Sequence, residues 1–462
     1  MKLKITHLPF AAILIFLLVT LSVAFNLHKW KKNEVLRWDV FGYHNYLPAL
    51  LIYQDFRHMA FIDSIDAKYK PTGDSQPKYG LYQHPVTGYY YNQYPCGTAL
   101  LQSPFFLIAH AFNLYSGQDP PDGYSAPYQH ANVLATIFYA CMGLFILILF
   151  LRPYCKPIPI FITLLILGFG TNLYTYTAID SGYSHPYAFF LFSCVLLLTQ
   201  RFYQQPKLIN SLGLGLILGL VTITRPIDII VVLIPLFWWR PKENQQNKFQ
   251  FLWAHKQYIL LALLGFVIGI FPQLAYWKYV SGNWILYSYS ENDYFEFVRN
   301  RTLHGLFSFR KGWFIYTPLI TLGFIGMFLL RRSKALSFYQ LPFWVFFIPM
   351  IYMVFSWHNW FYGWSFGARA MIDTLPVLAL PMAISVQWIF EQRVWKIVIS
   401  NVGILFLITL NLFQSWQYHR GILHGTFMNA KYYGRIFGKT EINAEDEKLL
   451  NETIEHDQKY NW

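Results

Sequence analysis

The feature that most constrains this chain is a succession of apolar stretches, each about as long as the ~20 residues a helix needs to cross a bilayer. They run near residues 8–27, 131–151, 158–177, 186–203, 208–224, 257–277, 314–330, 338–356, 373–390 and 395–414. A shorter stretch, 226–239, is placed to pair with 208–224 as a hairpin. Only 13% of the 462 residues are charged, against about 25% in soluble domains. The reading is an all-α, polytopic membrane protein of about eleven transmembrane helices. Segment 98–115 is also apolar but carries Gln102, Pro104, His110 and Asn113. It either spans or lies along the interface.

Charge then orients the spans. Basic clusters fall at Arg152 and Lys156; Arg201 and Lys207; Arg240, Lys242, Lys248 and Lys256; Arg331, Arg332 and Lys334; and Arg393 and Lys396. If the spans alternate, all five lie on one side, which the positive-inside rule makes cytoplasmic. The net charge of +13 is thus a matter of membrane orientation, with no continuous basic face for nucleic acid. Lys2 and Lys4 before the first apolar run look signal-like. No small-residue cleavage site follows, so a retained anchor is expected. The four cysteines form no CxxC and no metal spacing.

Parity decides where the long segment 28–130 lies. If 98–115 does not cross, 28–130 is one long outer loop; if it does, Asp39 is cytoplasmic. Lys29, Lys31, Lys32 and Arg37 favour crossing. The polar content of 98–115 opposes it, and long loops obey the charge rule poorly. Charge alone leaves the two even.

The opposite side from the basic clusters gathers residues that membranes tolerate poorly. Asp180 and His185 sit in a helix–turn–helix boundary, as a solvated turn or as a functional ionisable pair. Arg225 breaks the charge rule and has Asp228 nearby to pair with. Arg310 and Lys311 are adjacent cations suited to lipid head groups or to a phosphate. The loop from Ser356 to Arg369 is the densest, with His358, three tryptophans and Arg369 just before an apolar span. The aromatics, 20% of the chain, suit interfacial anchoring first and sugar stacking second. A guanidinium such as Arg369 grips phosphate bidentately. No phosphate loop, HExxH or nucleophile elbow appears, and no soluble nucleotide-binding domain. An activated donor would therefore arrive within the membrane, linked to lipid.

At these residues the chain resembles the C-type (GT-C fold) integral-membrane glycosyltransferases, the group of protein O-mannosyltransferases and lipid A aminoarabinose transferases. The resemblance covers most of residues 1–415. Asp39, in Arg37-Trp38-Asp39-Val40, matches the family's acidic residue in the first outer loop. Tyr94-Pro95-Cys96-Gly97 looks like the lead into a juxtamembrane helix of that loop. Asp180 falls where many members carry a second acid, and Arg369 with Leu375-Pro376 resembles the start of a late span. Val40 stands where O-mannosyltransferases usually have Glu, and no sizeable soluble domain follows.

The resemblance implies that 98–115 is interfacial and that Asp39 faces the exterior of a bacterial inner (plasma) membrane. It implies transfer of a sugar, with mannose the family-weighted choice, from a polyprenyl-phosphate donor to a glycan, lipid or protein acceptor. Asp39 would be the general base of an inverting displacement. Arg369, with Arg310 or Lys311, would stabilise the leaving phosphate, and Asp180, His185 and His358 would complete the substrate site. No cofactor is required, although Asp39, Asp180 and His185 could in principle assemble a divalent metal site. Rival readings are a transporter or flippase of envelope lipids, or a polysaccharide polymerase or ligase. The charged tail 416–462 is expected to form a short surface helix near Asn443 to Asp457, with no assigned role.

Overall fold

The computed structural model describes residues 5–74, 76, 78–239, 247–290, 293–333 and 335–460. Lys2, Lys4, Arg240, Lys242 and Lys334 lie outside the described residues. The described chain is mostly helical, with a short extended stretch at Pro71–Asp74, a small antiparallel pair, Leu81–Gln83 with Tyr90–Asn92, that pairs Leu81 with Asn92, and an isolated bridge between Phe295 and Trp357.

Among the described residues, six helices are long and apolar enough to cross a membrane: Ile5–Lys32, Ala126–Leu151, Lys256–Ser281, Ser337–Val354, Arg369–Phe390 and Val394–His419. Shorter apolar helices, Pro157–Phe169, Leu208–Thr224, Pro226–Phe237 and Pro318–Arg331, and the buried helix Ser184–Gln204 fill the bundle between them. Several expected spans are broken. The stretch 158–177 stops at Phe169 and resumes as a π-helical turn, Thr175–Ile179, the kind of local widening that often marks a functional site. Pro318 interrupts 314–330, because proline lacks an N–H and clashes with the preceding turn. The last long helix continues to His419, past the expected end of the membrane domain at residue 415.

The bundle has two chemically distinct ends. At one, Arg152 lies over Phe10 at 4.8 Å, the Lys156 amide donates to Gln387, and Tyr203 packs on Trp239. Arg152, Lys156 and Lys248, the last over Tyr203 at 5.6 Å, belong to this end. At the other, the ends of the first, middle and last helices converge on one large cavity.

Helix Gly97–Ser116 begins and finishes at the cavity end. Gly97 lies against the backbone of Ile223, where an added Cβ would come within 2.6 Å. At the far end of the helix, Asn113 donates to Ser125 Oγ (3.1 Å), just before Ala126–Leu151 starts. The polar residues that set 98–115 apart face protein: Gln102 donates to Tyr187 Oη (3.1 Å) and His110 hydrogen-bonds Tyr128 Oη (2.6 Å). Leu107, Ile108, Phe112 and Tyr115 are exposed on the other face. A helix with one apolar face free and one polar face docked suits an interface. Segment 28–130 therefore stays at the cavity end.

The tail is not a loose appendage. Ile422, Leu423, Met428, Tyr432 and Ile436 form a buried cluster with Tyr316, Phe366 and Tyr418 of the bundle. Helix Ala444–Tyr460 is locked by Asp446, which accepts from Lys439 (2.6 Å), Arg435 (2.7 Å) and the Asn443 amide (3.0 Å). Those donors, Lys439 first, hold the Asp446 carboxyl down at about 2. A depressed carboxyl stabilises the fold fully above its ordinary value of 3.8 and loses that contribution as pH falls through about 2. Hydrogen exchange over 444–460 should therefore accelerate as pH drops from about 4 to about 2, and Asp446→Asn should show the fast rate, corrected for intrinsic exchange, at neutral pH.

Helices Leu208–Thr224 and Lys256–Ser281 touch backbone to backbone through Gly215, Gly219, Gly265 and Gly269. A Cβ on Gly215 would stand 1.8 Å from the Ala262 carbonyl oxygen. Small residues at four-residue spacing allow such approach in membranes. Gly215→Val should lower the melting temperature in detergent by several degrees, since overpacking costs about 1–3 kcal/mol. Gly403→Ala, with nothing near its added Cβ, should leave it unchanged.

Candidate active site

The first helix ends at Leu27, and the chain turns through Lys29–Lys32 to reach Trp38. Trp38 has φ 50° and ψ −128°, a conformation a bulky L-residue adopts only when its surroundings impose it. It launches helix Asp39–His44 and presents the Asp39 carboxylate to the cavity. Asp39 Oδ1 accepts hydrogen bonds from Tyr94 Oη (2.8 Å) and Tyr79 Oη (3.2 Å). Asp39 Oδ2 accepts from Arg369 Nη2 at 2.8 Å. Burial first, then the Asp39 charge, raises the hydroxyl pKa of both tyrosines, so both remain donors at neutral pH. Tyr94 is seated on Gly42, where a Cβ would come within 2.2 Å of the ring.

Arg369 opens a 3₁₀ turn, Arg369–Thr374, at the head of its span. Its guanidinium lies over Tyr183 at 4.8 Å, and its Nε is buried with no hydrogen-bond partner among the described residues. The same turn carries Asp373, which is fully buried. Asp373 Oδ1 lies 3.0 Å from His185 Nδ1, and Oδ2 lies 3.1 Å from Arg225 Nε. Arg225 also approaches His185 (2.9 Å) and Asp228 (3.7 Å). One turn thus anchors two charge centres at the cavity, Asp39–Arg369 and Arg225–His185, the second held from behind by Asp373.

Asp180, delivered by the π-helical turn, pairs with Lys29 (2.8 Å) and accepts from Tyr418 Oη (2.9 Å). The cavity between these groups has a volume of about 1110 Å³. Its wall is apolar along Ala24, Leu27, Val133, Ile227 and Ile230, and aromatic along Trp38, Tyr43, Tyr183, Tyr289, Trp357 and Trp364. Lys29, Arg37, Arg225 and Arg369 supply its positive charge.

None of the protein-family models, curated proteins and solved structures compared with this chain matches it. The site must be read from its own geometry.

Of the residues expected from the sequence, Asp39, Asp180, His185 and Arg369 line this cavity. Arg310 and Lys311 do not. Arg310 packs on Phe361 at 3.9 Å, donates to the Thr426 carbonyl, and faces Asp457 (3.6 Å) beside a separate hollow of about 290 Å³. Lys311 is buried with its ammonium bonded to Ser365 and to the Gly425 carbonyl. Burial, then Arg369 and Arg310, pushes its pKa well below the usual lysine value. Both cations fasten the 357–368 loop to the returning tail, so neither is placed to hold a phosphate in the cavity. His358 stacks on Tyr294 and lies 3.5 Å from Asp293, which does line the cavity. Among the described residues no group of His, Cys, Asp and Glu is arranged to hold a metal; Asp39, Asp180 and His185 are each bonded to different partners.

Lys29, Arg37, Asp373, Tyr79, Tyr94 and Tyr418 belong to the site and were not expected there; Arg225, noted for breaking the charge rule, lies closer to Asp373 (3.1 Å) than to Asp228 (3.7 Å). Asp373 did carry a signal, an ionisable residue at the head of an apolar run. Gly42→Ala should drive the Tyr94 ring off Asp39 and destabilise the protein by about 1–3 kcal/mol, read as a lower melting temperature.

Proposed function

We propose that this chain is a C-type glycosyltransferase of about eleven spans, acting at the exterior face of a bacterial plasma membrane. It moves a sugar, mannose being the first to test, from a polyprenyl-phosphate donor to an envelope glycan, lipid or protein. The observation that carries this reading is the meeting of Asp39 and Arg369, 330 residues apart, at 2.8 Å on the wall of one large cavity. A base and a phosphate-gripping guanidinium side by side are what displacement at an anomeric carbon requires.

Asp39 takes the proton of the acceptor hydroxyl as that oxygen attacks the anomeric carbon. The bond from that carbon to the phosphate oxygen breaks, and polyprenyl phosphate leaves with inverted configuration at the sugar. Arg369 stabilises the charge that grows on the leaving group. Arg37 and Arg225, which also line the cavity, take the supporting role that the sequence had suggested for Arg310 and Lys311. The apolar wall suits a prenyl chain, and the aromatic wall suits sugar faces.

Asp39→Asn should reduce sugar transfer from a polyprenyl-phosphate donor by roughly 10²–10⁴ with the protein still folded. Near-normal transfer by that variant would end the reading. A reporter inserted near residue 70 and another near residue 360 should both register the exterior; a cytoplasmic signal from either would place the cavity on the wrong side of the membrane.

A further inference from the structure

We infer that Arg369 is a shared cation. The donor's phosphate takes it from Asp39, and only then is Asp39 Oδ2 free to accept the acceptor's proton. This rests on the glycosyltransferase reading and adds an order of events to it.

The two oxygens of Asp39 are held differently. Oδ1 is fixed by two tyrosine hydroxyls whose oxygens lie 3.1 Å apart, and Tyr94 is wedged against Gly42. Oδ2 has Arg369 as its one hydrogen-bond partner among the described residues. A carboxylate oxygen engaged by a guanidinium is blocked to an incoming hydroxyl. Oδ2 is therefore the exchangeable atom, and Arg369 is what must leave it.

Arg369 is equipped to do so. A guanidinium has five N–H donors, and one is spent on Asp39 while the Nε–H is buried with no hydrogen-bond partner among the described residues. Its side chain and that of Asp39 retain 11% and 17% exposure, toward the cavity. The neighbouring guanidinium of Arg225 also reaches the cavity, but the carboxylate it faces at 3.1 Å, Asp373, has no exposure and so offers no oxygen to an acceptor. A donor phosphate entering the cavity meets unspent donors on Arg369 and competes with Asp39 for the rest. With the phosphate on Arg369, the acceptor's proton passes to Oδ2 and its oxygen bonds the anomeric carbon. The sugar–phosphate bond breaks, and its electron pair stays on the departing phosphate.

Competition has a signature that a fixed site lacks. If Arg369 is free of Asp39 about a tenth of the time, removing the competing charge should tighten phosphate binding about tenfold. The full-length protein in nanodiscs would be titrated with a short-chain polyprenyl phosphate. Asp39→Asn should bind it about tenfold more tightly than the native protein, and Asp39→Glu should bind it like the native protein. In an Arg369→Gln background the gain from Asp39→Asn should vanish. Unchanged or weaker binding by Asp39→Asn overturns the exchange even if the variant is inactive, which leaves the general-base reading standing. Full transfer activity in Asp39→Asn sinks the functional reading itself. Should Asp39→Asn aggregate, Asp39→Ser carries the same charge removal and the same outcomes.

Discussion

The structure is organised around the need to keep charge paired in a medium that solvates it badly. An isolated carboxylate or guanidinium at membrane depth is costly, and breaking a buried pair leaves the survivor uncompensated at about 3–5 kcal/mol. The Arg369–Thr374 turn concentrates that constraint. It sends Arg369 to Asp39 in the first long loop and Asp373 to Arg225 and His185 in the middle of the chain. Three distant parts of the sequence are thereby tied to six consecutive residues. The large cavity lies where those ties converge.

How much of this was legible in the sequence follows from the same physics. Hydropathy locates spans because a helix must hide its backbone from lipid, and the helices fall where the apolar runs do. It does not see where a run is cut, because Pro318 or the widened turn at Thr175–Ile179 changes backbone geometry while leaving hydrophobicity intact. Segment 98–115 was ambiguous for a related reason. Gln102, His110 and Asn113 count against a span in a window average, but their meaning depends on whether they face lipid or protein. Only the hydrogen bonds to Tyr187, Tyr128 and Ser125 answer that.

Site residues divide along a similar line. Asp39, Asp180, His185 and Arg369 were visible because charge beside an apolar run needs a reason. Arg310 and Lys311 offered the same signal for another reason, since they bind a tail that returns more than a hundred positions later. No local pattern announces that return; the alternating charges near 443–457 mark the helix but not its docking. Tyr79 and Tyr94 were hidden among 34 tyrosines, most of which suit an interfacial belt equally well. A tyrosine becomes part of a site only when the fold aims its hydroxyl at a carboxylate.

The charge constraint also bears on how such a site can work. A base held permanently by an arginine would be stable and useless; a bare one would be reactive and expensive. Exchanging Arg369 between Asp39 and a phosphate resolves the conflict, because the guanidinium is never left without an anion. In the displacement we propose, a proton would neutralise Asp39 while the leaving phosphate would gain one negative charge. The sum of charge in the cavity is unchanged, so the surrounding dipoles need not reorganise, which is where preorganised sites gain most of their advantage over water. Trp38 fits this picture. Its backbone strain, of order 1–3 kcal/mol, persists only because the surroundings over-determine it, and in the proposed exchange those surroundings would keep Asp39 in place while Arg369 moves.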